Sequence, residues 1–275
     1  MSISAPRYVS GPVVHVGRTT RALAIFRREL LRRATWGPLL AVALTWLVVV
    51  AAATFSVAFS SLTGFSAMSG FESPYESVAW ILLILIVAAT VGAGSLADDI
   101  GSRAITLYLS RPINLSDYLV AKAGATGTWL LIAAVGPGCV AVALTTALGY
   151  VSASTALAAV GAYFAVGIVT AVFFTGVTLV FSSVTRRSLY AGVATFGAVL
   201  SIGVSASVVS GITGNTQILY ANPVTLTQTM AEAAFGVSSS SPLNPTTCAV
   251  VMVLVGVVLA TLAWWRLARI EVVGE

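Results

Sequence analysis

The chain has 275 residues, 58% of them hydrophobic and only 8% charged, with a formal net charge of +5. A soluble globular domain keeps about a quarter of its residues charged to solvate its surface, so this composition excludes one and makes lipid the main solvent. The basic excess does not point to nucleic acid, because all fourteen Lys and Arg residues fall in four short stretches flanking apolar runs, where positive charge sets topology and attracts anionic headgroups.

The N-terminal segment, residues 1–36, carries Arg7, Arg18, Arg21, Arg27, Arg28, Arg32 and Arg33. Within it, Thr19 to Thr35 reads as a helix with Leu23, Phe26 and Leu30 on one side and Arg21, Arg28 and Arg32 on the other, the form of a helix lying in the membrane interface. Arg27 and Arg33 flank the stripe and are placed to snorkel, Trp36 marks the headgroup level, and Pro38 suits the first turn of a span. Ala51-Ala52-Ala53 resembles a signal-cleavage site, but the apolar run continues to Phe59 after a long leader, so the first span is expected to be retained.

Six stretches are apolar over the roughly 20 residues needed to cross a bilayer as a helix. They run from Gly37 to Phe59, Val78 to Ala97, Gly124 to Leu148, Ala156 to Phe181, Leu189 to Ile212 and Thr246 to Trp265, giving a transmembrane domain over 37–265 and a tail at 266–275. Ser60 to Ser77, Gly149 to Thr155 and Thr213 to Pro245 hold no Lys or Arg, whereas Arg103, Arg111, Lys122, Arg186, Arg187, Arg266 and Arg269 share the opposite side with the N-terminal segment. The expected protein is therefore an all-α, multi-pass protein of the cell membrane with both termini in the cytoplasm.

The predicted spans contain no Asp, Glu, Lys, Arg or His, which disfavours an ion-coupled carrier. Ala88 with Gly92 and Ala123 with Gly127 are spaced for close helix packing. Cys139 and Cys248 lie inside apolar runs far from the single His15, so no metal-ligand set or cofactor site is expected.

The loop from Ala97 to Lys122 reads as a helix, a stop and a restart. Ser102 is placed to cap a short helix through Leu109, Pro112 forbids its continuation, and Asn114 with Asp117 offers capping for the helix leading into span three. A short helix held across the ends of two spans has the form of a lever. Between spans five and six, Asn222 and Pro223 read as the cap and first turn of a small exofacial helix whose stripe, Leu226, Met230, Ala233 and Ala234, ends at Gly236. Ser238 to Ser241 reads as linker.

This arrangement resembles the permease subunits of ABC transporters of the type 2 exporter class, the ABC-2 family. The resemblance is carried by the acidic pair Asp98-Asp99 before Gly101-Ser102-Arg103, by Leu107-Tyr108-Leu109-Ser110-Arg111-Pro112, and by Lys122 where span three begins. Ile25-Phe26-Arg27-Arg28-Glu29-Leu30 is similar to the elbow helix of those permeases, which often carry a basic residue shortly after the proline, where this chain has Leu115. The resemblance implies a coupling helix that contacts a separate cytoplasmic ATP-binding-cassette ATPase through Asp98, Asp99, Gly101, Ser102, Arg103, Leu107, Tyr108, Arg111 and Pro112. It also implies an elbow helix containing Phe26, Arg28, Glu29 and Arg32, a second copy or homologous permease chain as partner, and ATP with Mg bound only by the ATPase.

A P-loop ends in Gly-Lys-Ser or Gly-Lys-Thr, but the only lysine, Lys122, stands between two alanines. The chain is accordingly not expected to be an ATPase, nor an intramembrane protease, since His15 lies in the N-terminal segment. The leading expectation is a permease subunit of an ATP-driven exporter working by alternating access. Alternatives are a force-transmitting or envelope-assembly subunit that acts on an exofacial partner, and an ATP-independent carrier or channel. Thr170, Thr175, Thr178, Ser201 and Ser205 are polar candidates for a pathway, although such hydroxyls usually bond to their own helix backbone. Substrate identity is not written in the residues.

Overall fold

The computed structural model describes residues 17–102, 104, 114–238 and 241–272, except the side chains of Arg18 and 270–272. It is helical throughout, in the order α1 (Arg18–Arg32), α2 (Trp36–Thr63), α3 (Ala67–Glu76), α4 (Val78–Val91), α5 (Gly94–Gly101), α6 (Leu115–Ala147), α7 (Ala153–Val184), α8 (Ser188–Thr213), a 3-10 turn (Thr216–Ala221), α9 (Pro223–Phe235) and α10 (Pro245–Val272). Among the described residues, six helices are long and apolar enough to cross a membrane, with α4 and α5 together making the second. The spans formed by α4–α5, α6 and α7 have half or more of their apolar window buried (67, 50 and 56%), so they form the centre. Those formed by α2, α8 and α10 are 33, 28 and 22% buried and turn side chains such as Phe55, Ile212 and Leu254 outward.

Two differences from the sequence reading concern boundaries. The apolar span placed from Gly124 is the inner part of a helix that begins at Leu115, directly after the restart expected at Asn114, although the Asn114 side chain makes no capping hydrogen bond; Asp117 and Lys122 lie inside that helix. The stretch read as the loop Ser60 to Ser77 is partly helical. In it, α2 runs on to Thr63 and stops at Gly64, whose φ of 78° is a left-handed cap, and α3 follows with the Ser66 hydroxyl accepting from the Met68 amide at 3.2 Å. A Cβ on Gly70 would stand 2.8 Å from the Val57 amide nitrogen, so α3 lies on α2 at a separation only glycine permits.

The second span is broken at Gly92 and Ala93, and α7 repairs the break. The Ser182 hydroxyl accepts from the amides of Leu96 (2.8 Å) and Ala97 (2.9 Å) and donates to the Ala93 carbonyl at 2.7 Å. Backbone groups freed in a membrane must find partners inside the protein, and one buried hydroxyl serves three of them here. The small-residue expectation holds for Gly92, whose Cβ would meet Thr178 at 2.6 Å. The tightest crossing was not foreseen. A Cβ on Gly176 would collide with the Gly256 carbonyl oxygen, and one on Gly256 would stand 2.8 Å from the Val172 carbonyl, so α7 and α10 meet backbone to backbone.

The helix expected from Asn222 to Gly236 is present as α9. Asn222 Oδ1 accepts from the Val224 amide at 2.9 Å, Pro223 occupies the first turn, and Gly236 closes the helix at a φ of 67°. Leu226 and Met230 are buried, Ala234 is half-buried and Ala233 is exposed. An even number of spans puts α1 and the end of α10 at one end of the bundle, together with every described Lys and Arg. The other end carries α3, the 3-10 turn and α9, with Glu72, Glu76 and Glu232.

Candidate functional site

At the basic end, helix α5 emerges from the centre of the bundle and finishes in Asp98 and Asp99. Its last residue packs on the connection between α7 and α8, where a Cβ on Gly101 would collide with the Arg186 carbonyl oxygen. Asp99 points inward and its side chain is only 3% exposed. Its Oδ2 accepts from the Tyr118 hydroxyl at 2.7 Å and pairs with Lys122 Nζ at 2.6 Å, both from α6, while its Oδ1 accepts from Arg32 Nη1 of α1 at 3.1 Å.

Lys122 is the hub. Its ammonium is 1% exposed and its three donors have three acceptors: Asp99, Glu29 Oε2 at 3.1 Å, and the Ser95 carbonyl at 2.6 Å. Glu29 lies on the face that α1 turns to the bundle, and its Oε1 accepts from Arg33 Nε at 3.1 Å. Arg33 also approaches Asp98 Oδ2 at 3.6 Å, and the more exposed Arg32 lies 3.9 Å from both Asp98 and Glu29. Three acids and three bases from α1, α5 and α6 thus form one neutral cluster. Full compensation is required there, because removing one partner of a buried pair leaves a charge whose desolvation costs several kcal/mol.

Helix α1 is held by more than ions. The Phe26 ring covers Gly124 of α6, and Trp129 Nε1 donates to the Leu30 carbonyl at 3.2 Å. The face buried against α6 is therefore Phe26, Glu29, Leu30 and Arg33. Leu23, read on the same side of the helix as Phe26 and Leu30, is 63% exposed and does not join this contact.

Of the residues expected to meet a partner ATPase, Asp98 is half-exposed, Gly101 and Ser102 are exposed, and Asp99 has its oxygens occupied from within the chain. Ser102 ends α5 and its hydroxyl donates back to the Asp98 carbonyl at 2.6 Å. Arg103, Leu107, Tyr108, Arg111 and Pro112, and with them the expected short helix and proline stop, lie outside the described residues. Among the elbow residues, Glu29 and Arg32 join the cluster, Phe26 packs on α6, and Arg28 is exposed.

Sequence reasoning missed Lys122, Arg33, Tyr118 and Ser95 as one site. Asp99 and Lys122 also qualify the reading that the spans are free of ionisable groups, since both sit in span helices, paired to each other. The polar candidates behave as ordinary membrane hydroxyls: Thr170 donates to Val166, Thr178 to Phe174 and Ser201 to Ala198, each to a backbone carbonyl of its own helix. Ser205 is exposed and Thr175 is buried with its hydroxyl unpartnered. An apolar pocket of about 320 Å³ opens between α7, α8 and α10 beneath α9, lined by residues including Phe173, Phe181, Ile202, Leu226 and Met252. In comparisons with known proteins, no family model and no curated protein matches the chain.

Proposed function

We propose that the chain is the permease subunit of an ATP-driven exporter of the ABC-2 type, with the basic end in the cytoplasm, powered by separate ATP-binding-cassette ATPase subunits and completed by a second copy or a homologous chain. One observation carries this reading. Residues 103–113 leave the end of α5 and return at the start of α6, and both of those ends are tied through Asp99 and Lys122 to each other and to α1. A push on that segment is therefore delivered to two spans and the amphipathic helix together, which is what a coupling element needs. The Gly-Ser-Arg motif that leads into the segment, the Leu-Ser-Arg-Pro motif inside it, and the basic residues that direct this end to the cytoplasm support the same assignment.

The test is co-purification from native membranes. An ATPase is expected with the chain, the isolated chain is expected to hydrolyse no ATP, and replacing Arg111 and Pro112 is expected to uncouple ATP turnover from transport while the pair still assembles. Recovery of the chain without any ATPase overturns the proposal. A second reading, force transmission to a partner on the opposite face, is favoured by the two-helix cap of α3 and α9, which is more than a simple connection requires. Proteoliposomes separate the two: ATP turnover without accumulated substrate supports transmission.

A further inference from the structure

The acidic end of the bundle holds a buried carboxyl, Glu72, that no described residue pairs with a donor. Glu72 on α3 is 1% exposed, and no donor of the described residues reaches either of its carboxylate oxygens. The Glu76 carboxyl, one helical turn on, lies within hydrogen-bonding reach, and Glu232 of α9, 6% exposed, is close enough to repel it. No Lys, Arg or His occurs in residues 34–102, 123–185 or 188–265, the stretches that build this end. The other titratable groups around α3 are Tyr75 on α3 itself, Tyr163 on α7 and Cys139 on α6; α2 and α4 contribute none. None of these can supply a positive charge.

Two carboxylates are acceptors only, so they can face each other at hydrogen-bonding distance only when one carries a proton. We propose that Glu72 and Glu76 bind one proton between them, and that this proton docks α3 onto α9. A metal ion fits less well, since no group of three carboxylates among the described residues is arranged to hold one. Burial first, then the neighbouring Glu76 and Glu232 charges, push the Glu72 carboxyl up to about 7. A raised carboxyl stabilises the docked state fully below its ordinary value near 4.5, and that contribution is lost as pH rises through about 7. Glu76 stands at the docking contact itself, where its backbone carbonyl accepts from Gln228 Nε2 of α9. The proposal holds whichever transport or transmission role the chain performs.

The test uses the full chain in zwitterionic lipid nanodiscs and amide hydrogen exchange, corrected for intrinsic rate, at about pH 5.5 and about pH 8.5. Protection of 67–76 and 223–235 is expected to fall by at least about tenfold at the higher pH, the effect of one unit of the raised value. In Glu72→Gln, a neutral isostere, both segments are expected to stay protected at either pH, and the infrared band of a protonated carboxyl is expected to disappear. In Glu76→Gln the midpoint is expected to move to lower pH. Unchanged pH dependence in Glu72→Gln, an unmoved midpoint in Glu76→Gln, absence of any pH effect in the parent chain, or protection restored at high pH by calcium or magnesium each overturns it.

Discussion

Lys122 Nζ stands 2.6 Å from Asp99 Oδ2, and both side chains are withdrawn from solvent, at 1% and 3% exposure. This contact closes the two ends of the segment 103–113 on each other, and Glu29 extends it to α1. Such a pair is more useful for fixing one arrangement of three helices than for stability as such, because desolvation offsets most of the attraction.

That balance predicts an asymmetric response to mutation. Lys122→Met leaves the buried cluster one positive charge short and should lower stability by about 3–5 kcal/mol, whereas Lys122→Met with Asp99→Asn should recover most of the loss. Thermal unfolding of the two single variants and the double variant measures the coupling; additive losses would show that the pair is not one unit. Arg28→Ala, on the exposed side of α1, should change stability by less than about 0.5 kcal/mol.

Ser182→Ala removes the hydroxyl that bridges the break between α4 and α5. It leaves the amides of Leu96 and Ala97 without their acceptor and should cost about 1–3 kcal/mol. Amide exchange at those two positions should accelerate while exchange in the centre of α4 stays slow. Equal acceleration along α4 would show that the break is held by something else.

The backbone contact of α7 with α10 predicts position-specific glycine effects. Gly176→Ala and Gly256→Ala place a methyl against a carbonyl that cannot move aside, and each should destabilise by about 1–3 kcal/mol. Gly197→Ala, on α8, meets nothing within 4 Å and should be neutral or slightly stabilising, since alanine is the better helix former. Thermal stability in detergent distinguishes the three.

Asn222 joins two roles, capping α9 through Oδ1 and donating from Nδ2 to Ser207 of α8 at 2.8 Å. Asn222→Ala should therefore cost more than the ~1 kcal/mol of a cap alone, and Asn222→Asp should restore the cap but not the donor. Protection of the first turn of α9 in the two variants separates the contributions.

Six spans, their order, and the cap, first turn and stop of α9 were all determined by the sequence itself. Each rests on properties that add along a short stretch of chain: apolar length, the proline at a first turn, the side chain that caps it, and the glycine that ends it. The burial of Lys122 and its pairing with Asp99 and Glu29 were decided only in three dimensions. An ammonium inside a helix end reads as a loop residue until its acceptors, Asp99 and Glu29, arrive from 23 and 93 positions away along the chain. The same holds for α3, a helix that contains Pro74 and lies on α2 through Gly70 against Val57, and for Gly176 against Gly256. Local chemistry sets which segments become helices; long-range compensation of charge and backbone decides how they pack together.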